Sequence, residues 1–405
     1  MGEPLLSQLV RTLARPIGES ERARARLHLL DWLACVAGAR QSPVAAATRV
    51  TEQAWTFLGN LLEMDDIHRS ARLHPGPVIW PTVLKFASRA DSADELLDAA
   101  VRGYEAMIAL GATLDDFHYQ RWHPTSTAGG FGAAAAAASA MALDSAQTAW
   151  AMANAASVAG GFWNMRHSDS MAKQWHCDNA VRTGLAAARN ARAGLTGPLE
   201  VIEGPQGLHA NLCREPGLMV FPDAWRIHEV SFKPWAACRH IHPAIDCALV
   251  LRSRGELVAP FVVETFGDAL RFCDRAEPVT EVQAKFSLQH AIAVVAAGRN
   301  AEPADFTPAA IAELAPLRAQ VTVREDPAIS ANYPAHFGAR VNGFALTDAR
   351  GDPERPVGET EIVGKLKSMV SWGGLDRAQA DRAHSLAMGA STLAPIEAML
   401  HEWFA

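Results

Sequence analysis

Three histidines of this 405-residue chain stand directly before prolines, at positions 74, 123 and 242. A following proline restricts a residue to extended backbone, so each histidine is expected to lie outside the regular part of a helix. Histidine is also the side chain whose ordinary pKa lies closest to neutral pH, which makes it a common general acid or base. The polar residues around these histidines therefore indicate which chemistry they can support.

The first cluster of such residues precedes His74. Glu63, Asp65 and Asp66 lie within four residues, and His68 follows them. Carboxylates beside histidines suit proton transfer, because different surroundings can favour the acid form of one group and the base form of another. The alternative interpretation is a helix end with solvated acids and a turn after His74. A metal site is not indicated, since no third ligand stands at a diagnostic spacing.

The second cluster surrounds His123. Thr125, Ser126 and Thr127 follow it and are candidate caps of a helix that we expect to begin near Gly130. The free N–H groups at the start of a helix attract carboxylates and phosphates, so His123 would stand beside an anion site that Thr125 helps to form. The alternative is a buried capping turn around a histidine whose hydrogen bonds are satisfied.

The third cluster contains Lys173 and His176. Because they are three residues apart, they share one face if this segment is helical. A lysine ammonium can bind a carboxylate or stabilise the charge of an enolate. The alternative is an exposed lysine on an ordinary helix.

The fourth cluster concentrates positive charge near the middle of the chain. Lys233, Arg239, His240 and His242 lie within ten residues, at the point where the sequence pattern changes. Clefts between domains are common ligand sites, so a basic cleft would fit a small di- or tricarboxylate. A basic surface patch is the alternative.

The elements that must position these residues are mostly helices. Residues 20 to about 215 carry apolar side chains at three- and four-residue spacing, and the segment 376–405 does the same. Two-residue alternation, typical of strands, begins later, in the segments 259–270, 319–326, 339–348 and 359–368. We therefore predict a mainly α fold: a large helical domain over 1–229, rejoined by 376–405, and a smaller inserted α+β domain over 230–375.

Composition excludes several classes of protein. The formal net charge is -7 with no block of like charge, which argues against a nucleic-acid-binding protein. The six cysteines form no CxxC pair, so we expect no metal centre. Neither a signal peptide nor a membrane-spanning segment is indicated: the longest weakly polar run, residues 129–143, is mostly Ala and Gly. The expectation is a cytoplasmic protein without a membrane or nucleic-acid partner.

Five segments in order, at 59–76, 121–140, 170–176, 232–246 and 284–293, resemble the MmgE/PrpD family. That family includes 2-methylcitrate dehydratases, cis-aconitate decarboxylases and iminodisuccinate epimerases. The resemblance covers residues 20 to 375. It implies a helical domain interrupted by an α+β lid domain, a homodimer, and no metal or organic cofactor. It also implies an active site between the domains that binds a small polycarboxylate.

The resemblance carries site positions over to this chain by motif. They are Glu63, His74, His123, Lys173, Lys233 and His290. Decarboxylase-like members usually have Asp at the first of these positions and Tyr at the last, and a glycine usually stands where this chain has Asp178. With the clusters above, the candidate catalytic residues are Glu63, Asp66, His74, His123 and Lys173, and the candidate substrate-binding residues are Thr125, His176, Lys233, Arg239 and His290.

The chemistry shared by the family suits these residue types. Each reaction makes or breaks a bond at a carbon beside a carboxylate, so negative charge builds up there and lysines can stabilise it. His74 and His123 are the candidate acid and base, whereas His242 is expected to help shape the junction of the lid domain. The predicted activity is that of a 2-methylcitrate dehydratase-like lyase. The alternatives are an epimerase acting on an iminodisuccinate-like substrate, a cis-aconitate-type decarboxylase, and a ligand-binding member without turnover.

Overall fold

The computed structural model describes residues 2–48, 54–168 and 170–405. Within these residues the chain divides into two compact units. The first comprises the residues up to Leu61 together with Asp65–Val230 and Glu359–Ala405, and the second comprises Leu62–Met64 and Ser231–Gly358. The first unit is therefore discontinuous in sequence, and nearly all of the second is inserted between two of its segments.

The part of the first unit that precedes the insertion is helical. Its α-helices are Leu5–Leu13 (α1), Glu19–Gly38 (α2), Pro43–Thr48 (α3), Gly76–Leu84 (α4), Ala93–Gly111 (α5), Asp116–Tyr119 (α6), Pro124–Ala140 (α7), Ser145–Ala156 (α8), Ala172–Arg192 (α9) and Leu208–Leu212 (α10). Short 3-10 turns cover Ala54–Phe57, Trp163–His167 and Arg226–Glu229. No helix among residues 2–48, 54–168 and 170–405 has both the length and the hydropathy of a membrane-spanning segment.

Helix α7 lies at the centre of this unit and is buried along most of its length. It packs against α5 and α9. Small residues allow the close approach: a Cβ atom on Gly103 of α5 would come within 2.8 Å of Ala136, and one on Gly184 of α9 within 2.4 Å of Ala133. The alanine- and glycine-rich sequence thus specifies tight helix packing around α7.

The start of α7 corrects the sequence-based expectation. The helix begins at Pro124, not near Gly130, and His123 is its N-cap residue with extended backbone. Thr125, Ser126 and Thr127 therefore lie inside the first turn instead of capping it. The reason is that proline is well suited to the first helical position, where its missing N–H costs no hydrogen bond and its fixed φ matches the helix.

The second unit combines short helices with one sheet. Its α-helices are His242–Ser253 (α11), Gly267–Cys273 (α12), Glu281–Lys285 (α13), Leu288–Ala296 (α14), Pro308–Glu313 (α15), Ala315–Arg318 (α16) and Pro327–Ser330 (α17), with 3-10 turns at Arg239–Ile241 and Pro303–Phe306. Its strands are Phe261–Thr265 (β1), Val321–Glu325 (β2), Ala339–Val341 (β3) and Phe344–Leu346 (β4).

The sheet confirms three of the four predicted strand segments. Its order is β2-β1-β3-β4, with β1 and β2 parallel and the other neighbours antiparallel. The strand β1 pairs Val263 with both Val323 and Val341. These valines lie in segments whose two-residue alternation is typical of strands.

The fourth predicted strand is wrong. Residues 359–368 belong to a helix, Glu359–Trp372 (α18), which is followed by Ala378–Gly389 (α19) and Ala394–Phe404 (α20). The helix packs on α2, and Lys365 Nζ donates to Asp31 Oδ1 at 2.6 Å. This packing groups residues 359–375 with the first unit, so the second unit ends at Gly358 where the sequence pattern places the boundary at 375. The fold is mainly α, as predicted.

Candidate active site

In the first unit, His74 stands two residues before α4, and its imidazole is fixed by two acceptors. Nδ1 lies 2.8 Å from Asp65 Oδ2 and 2.8 Å from the carbonyl oxygen of Asp66. Because both neighbours accept hydrogen bonds, Nδ1 must carry a proton, and in the neutral ring the lone pair is on Nε2. The backbone N–H of His74 donates to Thr125 Oγ1 at 3.1 Å. The structure thus presents His74 Nε2 as a group that can accept or donate a proton.

Asp66 has a different environment, although it is adjacent to Asp65. Its Oδ1 accepts the N–H of Gly76 at 2.8 Å, and its Oδ2 accepts the hydroxyl of Tyr104 at 2.6 Å. His28 Nδ1 also lies 2.8 Å from Oδ2. Both carboxylate oxygens are therefore used to hold α4 and neighbouring helices together. Asp66 was a candidate catalytic residue, but it is Asp65 whose carboxylate contacts His74.

Three buried groups near Asp66 have strongly shifted pKa values. Burial lowers the pKa of His28 to about 4, against the opposing effect of its hydrogen bond to Asp66. Burial, and then the neighbouring charge of Asp66, raise the pKa of Tyr104 well above its ordinary value. Burial likewise raises the pKa of Asp31 to about 6, although Lys365 opposes it. His28 and Tyr104 are thus uncharged hydrogen-bond donors at neutral pH, which suits a structural role.

His123 and His176 meet through their Nδ1 atoms, which are 3.2 Å apart. The backbone N–H of His123 donates to the carbonyl oxygen of Gly161, and its ring lies 4.7 Å from the Trp163 ring. Gly161 has φ 107° and its Cβ position is filled by Ser126, so a glycine is required there. Each imidazole can only donate to or accept from the other, so the pair holds one proton between the two Nδ1 atoms.

The electrostatics of this pair favour neutral rings in the substrate-free chain. Burial, and then the positive charges of His176, Lys173 and His74, lower the pKa of His123 well below its usual range. Burial also lowers the pKa of His176, whose side chain is only partly covered. His123 is therefore an unprotonated group near the cation of Lys173, a setting that attracts an anionic ligand.

Asp178, a departure from the family pattern, has a structural explanation. It is 2% exposed, and its Oδ1 accepts the hydroxyl of Thr56 at 2.6 Å. Its Oδ2 lies 2.6 Å from Nε of Arg182, one turn further along α9. The carboxylate thus joins α9 to the 3-10 turn Ala54–Phe57 and does not contact the histidine pair directly.

In the second unit, the buried Lys233 is paired with Glu63. Lys233 Nζ lies 3.6 Å from Glu63 Oε2, with 0% and 8% of the two side chains exposed. Glu63 has φ 57°, a left-handed backbone that costs about 1–3 kcal/mol for a residue with a side chain. Glu63 already neutralises the lysine, so a substrate carboxylate would compete with Glu63 for this ammonium.

Arg239, expected to bind substrate, has a buried structural partner instead. Its Nη2 lies 2.5 Å from Asp352 Oδ1, and its Nη1 donates to the carbonyl oxygen of Arg350. His242 Nδ1 accepts from Arg239 Nη1 at 3.3 Å, and His242 Nε2 donates to the carbonyl oxygen of Ala237 at 3.0 Å. Arg239 and Asp352 are 1% and 0% exposed. These contacts hold the loop after Lys233 in place.

His290, carried over by resemblance, is buried on α14. Its Nε2 donates to the carbonyl oxygen of Asp305 at 2.8 Å, and its ring packs edge-on against Phe306. Burial lowers its pKa to about 4. The contacts join α14 to the 3-10 turn Pro303–Phe306, which is a structural use of this histidine.

Two family profiles match the chain. The MmgE/PrpD N-terminal domain matches residues 54–219, and the MmgE/PrpD C-terminal domain matches residues 235–388. The chain belongs to the MmgE/PrpD family. Membership confirms the resemblance of the five ordered segments, and His74, His123 and Lys173 all lie within the N-terminal domain of this MmgE/PrpD protein.

One relative is a curated enzyme. The cis-aconitate decarboxylase of Homo sapiens is 28% identical over 249 residues, which are 56% of this MmgE/PrpD chain and 51% of the relative. The chain thus spans about half the length of the curated relative it matches.

Proposed function

We propose that this chain is a lyase that dehydrates a small di- or tricarboxylate of the 2-methylcitrate type. The observation that carries the proposal is the arrangement in the first unit: the His123–His176 pair, the charge of Lys173, which lowers the pKa of His123, and His74 held by Asp65. This set contains two acid/base groups and a cation, which elimination beside a carboxylate requires.

The base in this proposal is His123. Its depressed pKa keeps the ring unprotonated in the free protein, so it is ready to accept a proton. Binding of a polyanion would raise the pKa of His123, because negative charge favours the imidazolium form. His176 lies against His123 and is partly exposed, so it can pass that proton on to solvent.

The acid is His74. Asp65 holds its Nδ1–H and stabilises the imidazolium, which leaves the Nε2 proton to be donated. Removal of the α-proton by His123 places an electron pair on the carbon and its carboxylate. That pair forms the carbon–carbon double bond as hydroxide departs, and the proton from His74 Nε2 converts the hydroxide to water.

Lys173 would stabilise the charge that develops between these two steps. It lies at the start of α9, in the same turn as His176, and its positive charge lowers the pKa of His123. A cation aimed at the doubly charged carboxylate acts mainly in the transition state, when that charge appears.

Decarboxylation of a cis-aconitate-like tricarboxylate is the second candidate, favoured by the similarity to the human cis-aconitate decarboxylase. Here CO₂ leaves, its bonding electrons remain on the carbon, and His74 or His123 supplies the proton that replaces it. The same cation would stabilise the intermediate charge.

The test is incubation of the purified chain with citrate, 2-methylcitrate, cis-aconitate and iminodisuccinate. Alkene absorbance without CO₂ release would support dehydration, and CO₂ release would support the second candidate. A change of chirality alone would indicate an epimerase and overturn both. Binding by calorimetry without any product would indicate a ligand-binding protein. His118→Gln is a matched control for variants of the site, since His118 is a buried histidine that hydrogen-bonds Thr127.

A further inference from the structure

Two cysteines and a histidine meet in the interior of the second unit. The ligand atoms of Cys238, His240 and Cys273 all lie within 4.8 Å of one another, and all three residues are buried. Cys238 Sγ lies 3.3 Å from His240 Nδ1, and Cys273 hydrogen-bonds Cys238. The proposed reaction does not use this group.

We propose that Cys238, His240 and Cys273 bind a Zn²⁺ ion. Zinc prefers thiolate and imidazole ligands at about 2.3 Å and 2.0–2.1 Å. Tetrahedral geometry with those bond lengths separates two sulfurs by about 3.8 Å, and a sulfur and a nitrogen by about 3.6 Å. The distance of 3.3 Å between Cys238 Sγ and His240 Nδ1 is near the second of these values, and the three ligand atoms all lie within 4.8 Å of one another, so side-chain adjustments can place an ion between them.

Charge balance favours a divalent ion at this place, and the ligand types favour zinc. Two thiolates carry two negative charges and the imidazole is neutral, so the complex with Zn²⁺ has no net charge. A neutral complex is what a buried site tolerates, whereas a buried unpaired charge is costly. The soft sulfur ligands also disfavour Mg²⁺ and Ca²⁺, which take oxygen ligands. Within the described residues the group has three protein ligands, and a small molecule such as water would complete the tetrahedron.

The surroundings hold His240 in a ligand orientation. Its ring stacks on Phe272 at a centroid distance of 5.1 Å and an angle of 6°, and Phe266 and Phe337 pack around it. The hydroxyl of Tyr333 lies 3.5 Å from Nε2, so it can accept the Nε2 proton. The lone pair is then on Nδ1, which faces Cys238. Metal-binding histidines commonly have such a partner on the second nitrogen.

A bound ion would also restrain the segment that follows Lys233. Cys238 and His240 belong to the loop and 3-10 turn that follow Lys233, and Cys273 is the last residue of α12. A bound zinc would therefore fasten the Lys233 segment to α12. The inference is independent of the proposed reaction, since it places no metal at the substrate.

A second group, His336, Asp348 and Glu354, also has metal-ligand spacing. Its Glu354 is exposed, and His336 is already paired with Asp348 at 2.8 Å. It offers oxygen and nitrogen ligands but no sulfur. X-ray absorption can therefore distinguish the two groups by the atoms bound to the metal.

The direct test is zinc K-edge X-ray absorption of the full wild-type chain, purified with reductant, loaded with one equivalent of Zn²⁺ and desalted. We expect retained zinc with two sulfur ligands at about 2.3 Å and a nitrogen at about 2.0–2.1 Å. Failure to retain zinc would overturn the proposal. A shell of only nitrogen and oxygen would overturn it as well and would point to the His336 group.

Variants provide the second arm. Cys238→Ser and Cys273→Ser should each lower Zn²⁺ affinity at least about 100-fold in competition with a chromophoric chelator, since even supporting residues of metal sites cost 10–100-fold. Cys247→Ser is the matched control, because Cys247 is a buried cysteine of the same unit outside the group. Unchanged affinity in both cluster variants would refute the site, and the wild-type spectrum decides the matter if a variant does not fold.

Discussion

The Nδ1 atoms of His123 and His176 lie 3.2 Å apart, although the two residues are 53 positions apart in the chain. His123 is buried at the N-cap position of α7, whereas His176 lies near the start of α9 and is partly exposed. The imidazoles at the starts of α7 and α9 thus share one proton. Of the two, the His176 ring has access to solvent.

His123→Gln should lower kcat about 10²–10⁴-fold, because the variant keeps a polar side chain of similar size but cannot act as a base. Steady-state kinetics on the substrate found by the screen measures the loss. His118→Gln should retain activity. If the thermal midpoint of His123→Gln falls as steeply as its activity, His123 is a structural residue and the assignment as base is wrong.

Asp65→Asn and Asp66→Asn should separate catalysis from stability. Asp65→Asn can donate to His74 Nδ1 and so place the proton on the wrong nitrogen, which should lower kcat about 10²–10⁴-fold with a small change in stability. Asp66→Asn replaces an acceptor of the Gly76 N–H and the Tyr104 hydroxyl, so it should lower the thermal midpoint more than Asp65→Asn does. The reverse pattern in kinetics and calorimetry would assign the catalytic role to Asp66.

Lys173→Met should lower kcat more than it raises KM. Methionine keeps most of the length and the apolar stem but removes the ammonium, so a stabiliser of developing charge is lost at a cost of about 3–4 kcal/mol, a few hundredfold in rate. A large rise of KM with kcat unchanged would instead make Lys173 an anchor for a substrate carboxylate. Lys233→Met, measured in parallel, would then be the next candidate for the catalytic cation.

Stability should fall as the pH falls below about 6.5. Burial lowers the pKa of His28, His118 and His290 to about 4, so between pH 6.5 and 4 the unfolded chain binds protons that the folded chain does not. The contribution of each group to the free energy of unfolding is complete above about pH 6.5. Below pH 6.5 it decreases by up to about 1.4 kcal/mol per pH unit, until the pH reaches the folded-state pKa. The raised pKa of Asp31 acts in the opposite direction.

Urea denaturation between pH 7 and pH 5 measures this dependence, and His290→Gln isolates one contribution. The variant cannot take up a proton in either state, so its free energy of unfolding should depend less steeply on pH than that of the wild type. Equal slopes would show that His290 titrates normally in the folded chain.

We also expect a homodimer, as the family resemblance implies. Sedimentation equilibrium at micromolar concentration should give twice the chain mass. A stable monomer under these conditions would contradict the expectation and leave the predictions for single side chains unaffected.

The sequence predicted the helices of the first unit from the three- and four-residue spacing of their apolar side chains. Helices α2 to α10 confirm that prediction, and three alternating segments form strands. Residues 359–368 alternate just as clearly, yet they form part of α18, because packing on α2 and the Lys365–Asp31 bond override a short local pattern. A short alternating segment does not by itself report its tertiary partners.

The same limit applies to individual site residues. Adjacent carboxylates are equivalent in sequence, so the pattern gave no way to tell Asp65, which holds His74, from Asp66, which holds Tyr104. Buried pairing is equally invisible: Arg239 finds Asp352 more than a hundred positions away. The histidine pair could be predicted in part, because His123 and His176 both stood in predicted clusters. Their contact could not be predicted, because it depends on how α7 and α9 pack.

The Asp31–Lys365 bond joins residues 334 positions apart, and its consequence lies in the order of synthesis. Asp31 leaves the ribosome long before Lys365 is synthesised. The helical unit therefore cannot be completed until α18 emerges. Residues 231–358 emerge whole before that moment, and their prior folding would shorten the loop that α18 must close. The face of α2 that packs on α18 therefore stays uncovered until residues 359–372 have been synthesised.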